Sequence, residues 1–183
     1  EFEKIEFLKG IWDGTGRTRM NMDKDKKKET TSVDIGLMLT GQEMPTADIA
    51  LFSRLIFLTF TQTEYTDDEK LRFNQLKDIL NAGVTHLTHE VLSHRKHFLD
   101  NYFENYDTVC ADINKLLGDN IIEDRIFRNW SIVLAAFYTL KDKIITRIEY
   151  PQLLQLAVSL IIRQNSETKR TNDVANFWEI FNF

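Results

Sequence analysis

Two polar side chains in the segment LMLTGQEMPTADIALFSRLIFLTF, residues 37–60, stand where chemistry could be done. Gln42 follows one apolar run and Arg54 directly precedes another. A strand that ends in an amide at the carboxyl edge of a parallel sheet is where α/β proteins place ligand-contacting groups. An amide there can orient a water or touch a γ-phosphate. An arginine leading into the neighbouring strand can face a phosphate in its own site or in the next subunit's. Guanidinium suits that role because it is always charged and grips phosphate oxygens bidentately. In the plainer reading Gln42 caps a strand and Arg54 pairs with Asp48 or Glu43.

Other residues offer weaker chemistry. Between Arg17 and Lys28 six Lys or Arg stand against two Asp. Arg17, Arg19, Lys26 and Lys27 there could neutralise phosphates without reading bases; a solvated β-turn with ordinary charges would look the same. THLTHEVLSHRKHF sets His86, His89, His94 and His97 close together, and on one helix His86, Glu90, His94 and His97 share a broad face. The spacing is not HExxH, and one helix rarely closes a zinc shell, so no metal site is assigned. Tyr102, Tyr106 and Trp130 could stack bases, but aromatic stripes at helical spacing usually belong to a core. Cys110 lies beside Val109 in an apolar pattern and reads as a buried structural thiol.

The bulk numbers bound the class. With 183 residues, 43 % of them hydrophobic, the chain is long enough to bury a real core. Its net charge of -5 excludes a whole-protein basic field for nucleic acid. A single cysteine excludes an internal disulfide and a cysteine-based zinc site, which fits a reducing, cytoplasmic setting. No apolar run is long enough to span a bilayer. The opening EFEKIEF, without a methionine, reads as part of a longer protein.

The elements that must position these residues fall into two regions, 1–62 and 63–183. In the first, a short helix is expected over Phe2 to Ile11, stopped by Asp13-Gly-Thr-Gly, then a basic hairpin with DKDK at its tip. SVDIGLMLT and LIFLTF read as strands; their continuous apolar character suggests burial on both faces. The second region is helical in period. Helices are expected at Asp67 to Asn81, Thr85 to about Asn105 running into Asp107 to Leu117, Glu123 to Ile145, Pro151 to Gln164 and Asp173 to Asn182. Phe98, Tyr102, Tyr106, Val109, Ile113 and Leu116 form one stripe; Ile126, Trp130, Val133, Phe137, Leu140 and Ile144 form another. SETKRTND is expected as a polar connector with Asn172 as an N-cap.

In motif order, residues 1–60 resemble the later half of the ATPase core in helicases of the virulence-associated E type. They are also similar to the poxvirus-type primase–helicases of mobile elements. The resemblance rests on Phe7-Leu8-Lys9, on the Asp13, Gly14, Gly16, Arg17 and Arg19 turn, on Gln42 at a strand end, and on Pro45 and Ala50-Leu51-Phe52 leading to Arg54. Two departures are visible: Gln42 stands where Asn is commoner, and Arg54 is single where many relatives have two adjacent arginines. The resemblance implies a mainly α chain with a small β portion, a truncated P-loop ATPase sheet of two to four strands followed by a helical bundle. It implies that Arg54 is an arginine finger and Gln42 a sensor, with Lys9, Arg17, Arg19, Lys26 and Lys27 contacting DNA or nucleotide. The intact protein would be a ring-forming, DNA-dependent ATPase acting on single-stranded DNA with ATP and Mg. No GxxxxGK[ST] is present to cradle phosphates, so this piece is expected to bind no nucleotide and to be inactive alone. The rival expectation is a non-catalytic helical module for DNA or protein binding.

Overall fold

The computed structural model describes residues 2–15, 18–20, 28–30, 32–33, 35–41, 48–61 and 64–181. Within them the chain is largely helical. The order is α1 (Phe2–Trp12), β1 (Thr18–Met20), β2 (Lys28–Thr30), α2 (Ile49–Phe52), α3 (Asp67–Ala82), α4 (Thr85–Ser93), α5 (Arg95–Leu117), α6 (Asp124–Leu140) and α7 (Tyr150–Phe181).

The expected ATPase sheet is not formed. Among the described residues strand is confined to β1 and β2, an antiparallel pair in which Arg19 lies opposite Glu29. In the described residues of the two apolar runs read as buried strands there is no regular structure; residues 35–40 and 58–60 are exposed, with Met38 91 % and Phe60 88 % exposed, while Leu55, Ile56 and Phe57 are half-buried. A strand exists only where a neighbour takes its N–H and C=O groups. A continuous apolar run reports affinity for a core and not a period, so it cannot by itself specify a strand.

Two compact units divide the chain. The first is Glu1–Phe57 with Ile122–Asn129 and Arg163–Phe183; the second is Leu58–Ile121 with Trp130–Ile162. In the first, Leu51, Phe52 and Ile126 are buried together with polar Ser53, Asn129, Gln164, Asn165 and Thr168. The second buries Val109, Ile113 and Leu117 of α5, Trp130, Leu134 and Ala135 of α6, and Leu154, Ala157, Val158 and Ile161 of α7. Side chains tie its helices to one another. Asn105 donates to the Thr139 hydroxyl at 3.1 Å, and the Tyr150 phenol donates to Asp112 at 2.9 Å. Burial first, and then the Asp112 carboxylate, hold the Tyr150 phenol far above its ordinary range, so it stays a donor.

Three helical expectations shift. The α6 stripe runs Ile126, Trp130, Leu134, and Val133 is exposed, because the buried line advances by four residues here and not three. On α5 Leu117 is buried and Leu116 exposed, for the same reason of register. The connector SETKRTND is helical, and α7 runs through it with Asn172 inside. Nothing in that stretch breaks a helix: it holds neither Gly nor Pro.

Candidate functional site

The residues singled out in the first region converge on α2. Asp48 caps this short helix, its carboxylate accepting the Leu51 N–H at 2.8 Å. The same carboxylate receives the Lys9 ammonium from α1 at 2.8 Å, and Lys9 also holds Glu6 at 2.8 Å. Burial alone would raise the Asp48 carboxyl. The Lys9 ammonium and the N–H groups of Leu51 and Ala50 outweigh it, and the group titrates below its ordinary value.

Arg54 follows α2 by two residues and turns back onto its own unit. Its Nη1 donates to the Ala50 carbonyl at 2.7 Å, closing a loop of one turn. Its Nη2 lies 3.5 Å from the Asp13 carboxylate, and its guanidinium carbon stands 5.3 Å from the centre of the Trp12 ring. The side chain is only 12 % exposed, and its Nε is buried without an acceptor among the described residues. Asp13, at the Gly14 turn that ends α1, therefore takes the place expected of Asp48 or Glu43. Gly14 makes that turn at φ +68°, a conformation open to glycine and costly for other residues.

The backbone around Arg54 is pinned from both sides. Asn129 of α6 donates to the Ser53 carbonyl at 3.2 Å and accepts the Trp12 indole N–H at 2.9 Å. Gln164 of α7 donates to the carbonyls of Phe52 at 3.0 Å and Leu55 at 2.8 Å. Asn165 accepts the Glu123 N–H at 3.0 Å, just ahead of α6. Asn129 and Gln164 thus satisfy carbonyls at and just after the end of a helix too short to satisfy them itself. A second guanidinium, of Arg125, stands 6.0 Å from the same Trp12 ring.

Of the predicted site residues, Arg54 and Lys9 are thus brought into one cluster, each held by carboxylates of its own unit. Arg19 lies in β1. Gln42, Arg17, Lys26 and Lys27 lie outside the described residues, as does Glu43. Sequence reasoning missed Asn129, Gln164 and Arg125. A signal existed for Gln164: the buried positions of α7 read Leu154, Ala157, Val158, Ile161, then Gln164, Asn165, Thr168, one stripe that turns polar without leaving its register. A polar residue on a buried register must find a partner, and the free carbonyls after α2 are that partner.

The histidines do not gather on one face. The helix breaks at His94, which ends α4 and starts α5. His94 Nε2 approaches Glu90 at 3.3 Å, while His97 Nε2 donates to the Thr139 carbonyl at 3.1 Å and its Nδ1 faces the Asn101 amide at 3.3 Å. Both nitrogens of His97 are therefore engaged. Among the described residues no group of three metal-ligating side chains forms. Tyr102 stacks on Phe98 at 4.9 Å, and Trp130 is buried. Cys110 is half-buried and reduced.

No protein-family model, curated protein or solved structure matches this chain. None of the helices in the described residues is long and apolar enough to cross a membrane.

Proposed function

We propose that this chain is a piece of a cytoplasmic primase–helicase, a DNA-dependent ATPase when intact, in which Arg54 meets a nucleotide phosphate. The supporting observation is convergence. Three motifs that carry the resemblance, two at the end of α1 and one beyond β2, meet around α2: the Phe7-Leu8-Lys9 helix through Lys9–Asp48, the Asp13 turn through Asp13–Arg54, and the Ala50-Leu51-Phe52 helix that leads to Arg54. To reach a phosphate the guanidinium must leave Asp13, and that contact, at 3.5 Å, is the longer of its two polar contacts. In this reading ATP, Mg and the P-loop belong to the intact protein, which works as a ring on single-stranded DNA, and the piece itself is inert. The test is Arg54→Ala in the intact protein. DNA-stimulated ATP hydrolysis should fall by about 10³ or more, the usual worth of a supplied arginine. Unchanged turnover would sink the reading.

A second reading has its own support. No residue of α3 is buried, and Leu71, Phe73, Leu76, Ile79 and Leu80 all lie exposed along it. An apolar helix surface of that extent suits a non-catalytic interaction module. The source gene separates the two: GxxxxGK[ST] at a strand–helix junction ahead of residue 1 favours the ATPase, and its absence favours the module.

A further inference from the structure

We infer that α3 packs against α5 of a second copy of this chain, the two helices running parallel. The inference rests on the exposed α3 that carries the interaction-module reading and is independent of Arg54.

The pattern on α3 is the first argument. Phe73, Leu76 and Leu80 recur at helical spacing with Ile79 beside them, so they form one stripe along the helix. All four are exposed. The edges of the stripe are basic, with Arg72 on one side and Lys70 and Lys77 on the other, while Asp78 lies away from it. Lys70 and Arg72 hold Asp67 and Asp68 in exposed pairs that contribute little. The Lys77 ammonium rests 4.9 Å from the centre of the Phe73 ring.

A complementary surface lies on α5. Leu99 and Phe103, one helical turn apart, are exposed, and beside them run Asp100, Glu104 and Asp107, exposed as well. No cation among the described residues pairs with these three carboxylates. The helix opens with Arg95 and Lys96. Charge therefore runs from acid to base along α3 and from base to acid along α5. In a parallel alignment that sets Leu76 level with Phe103, Glu69 stands level with Lys96 and Lys77 with Glu104.

The chain does not offer this match to itself. Gly83 and Val84 alone separate α3 from α4, and His94 alone separates α4 from α5. A fold-back of α3 at Gly83 is therefore antiparallel. It would bring Asp67 toward Asp100 and Arg72 toward Arg95, like charge against like. Only Lys77 would meet an acid, Glu90, which His94 already approaches. One helix face is smaller than the roughly 800 Å² per partner of a stable interface, so the pairing is weak, on the order of tens of micromolar, and the dilute chain keeps α3 open.

The test is sedimentation equilibrium of the chain from about 1 µM to about 500 µM. The mass should rise with concentration from one copy to two or more. Lys77→Glu and Glu104→Lys should each weaken association by roughly tenfold, because each sets like charges level with one another. Both residues are exposed, so both variants should keep the native fold, which circular dichroism checks. The deciding sample is an equimolar mixture of the two variants. Between two copies each altered residue meets the other, so the mixture should recover most of the native association. Recovery in the doubly altered chain but not in the mixture would put the pair inside one chain and overturn the inference. A native chain that stays a single copy throughout overturns it too, and so does association that neither variant weakens. None of these variants touches Arg54, whose reading is judged by ATP hydrolysis in the intact protein.

Discussion

The four-residue α2 has two of its residues buried, whereas the sixteen-residue α3 has none. Both carry apolar side chains and both are capped by an oxygen at their N-terminus: Asp48 for α2, Thr66 for α3. They differ in where their remaining hydrogen bonds go. The carbonyls at and after the end of α2 are taken by Asn129 and Gln164, residues 76 to 112 positions away in sequence. Those around α3 are local: Thr66 with Glu69, Lys70 with Asp67, Arg72 with Asp68. Helix formation and burial are therefore separate achievements. The capping box and the acidic first turn, Asp67-Asp68-Glu69, suffice for the helix α3. Burial of α2 requires distant amides to satisfy what a short helix exposes.

Two phenylalanines test the contrast most strongly. Phe52 is 2 % exposed and Phe73 56 % exposed. Phe52→Ala should lower unfolding free energy by about 3–5 kcal/mol, the transfer and cavity cost of a buried ring. Phe73→Ala should change it by no more than about 0.5 kcal/mol. Urea midpoints read both. A large loss from Phe73→Ala would mean that α3 is covered in solution, and the comparison would break.

Asn129→Ala comes next. It strips the Trp12 indole of its acceptor and the Ser53 carbonyl of its donor, and leaves both to be met by weaker partners. A loss of about 1–3 kcal/mol is expected from the same urea series. The Trp12 indole signal should also move, because the ring is no longer held. Stability close to native would show that the amides follow α2 and do not fix it.

These elements were legible in the sequence to different depths. The bounds of α1 and α3 could be read closely, since Gly14 stops one helix and Thr66 with Glu69 starts the other, all local signals. The break at His94 was not legible, for neither Gly nor Pro marks it. The helix stop expected after Gln164 follows polarity that has another cause: Gln164 and Asn165 are buried against backbone groups, Gln164 donating to carbonyls and Asn165 accepting the Glu123 N–H, and the chain does not turn there. The expected sheet failed for a reason of the same kind. LML and LIFLTF announce affinity for apolar surroundings, but pairing depends on partner strands that hydropathy does not encode. At the candidate site Arg54 and Lys9 could be named from sequence, whereas their partners could not. Asp13 and Asp48 look alike in sequence, and only the fold assigns Asp13 to Arg54 and Asp48 to Lys9.

A smaller effect is expected where the cap is local. Thr66→Ala removes the hydroxyl that accepts the Glu69 N–H and binds the Glu69 carboxylate. Amide exchange over the first turns of α3 should quicken severalfold, while the urea midpoint of the whole chain stays put. A shift of that midpoint would tie α3 to the rest of the fold more firmly than its hydrogen bonds suggest.

Acid should separate the two regions by the gentlest means. Two carboxyls are held below their ordinary values. Glu69, ordinarily 4.5, is lowered by the backbone N–H and then the hydroxyl of Thr66. Asp48, ordinarily 3.8, is lowered by Lys9 and the α2 N–H groups against the pull of burial. A depressed folded-state value means that each contribution is whole above the unfolded-state value and is lost as pH falls through the folded one. Fraying of α3 should therefore begin below pH 4.5, and loosening of α1 from α2 only below pH 3.8. The Lys9 ammonium, raised by its bond to Asp48 and then by Glu6, adds the opposite limb: its share is whole below 10.5 and lost as pH climbs through the raised value. Amide exchange in α3 and the Trp12 indole signal report the two events separately. Asp48→Asn should abolish the Trp12 step below pH 3.8 and leave the α3 step in place. A Trp12 step that survives Asp48→Asn would break the assignment of this acid-sensitive tie to the Lys9–Asp48 pair.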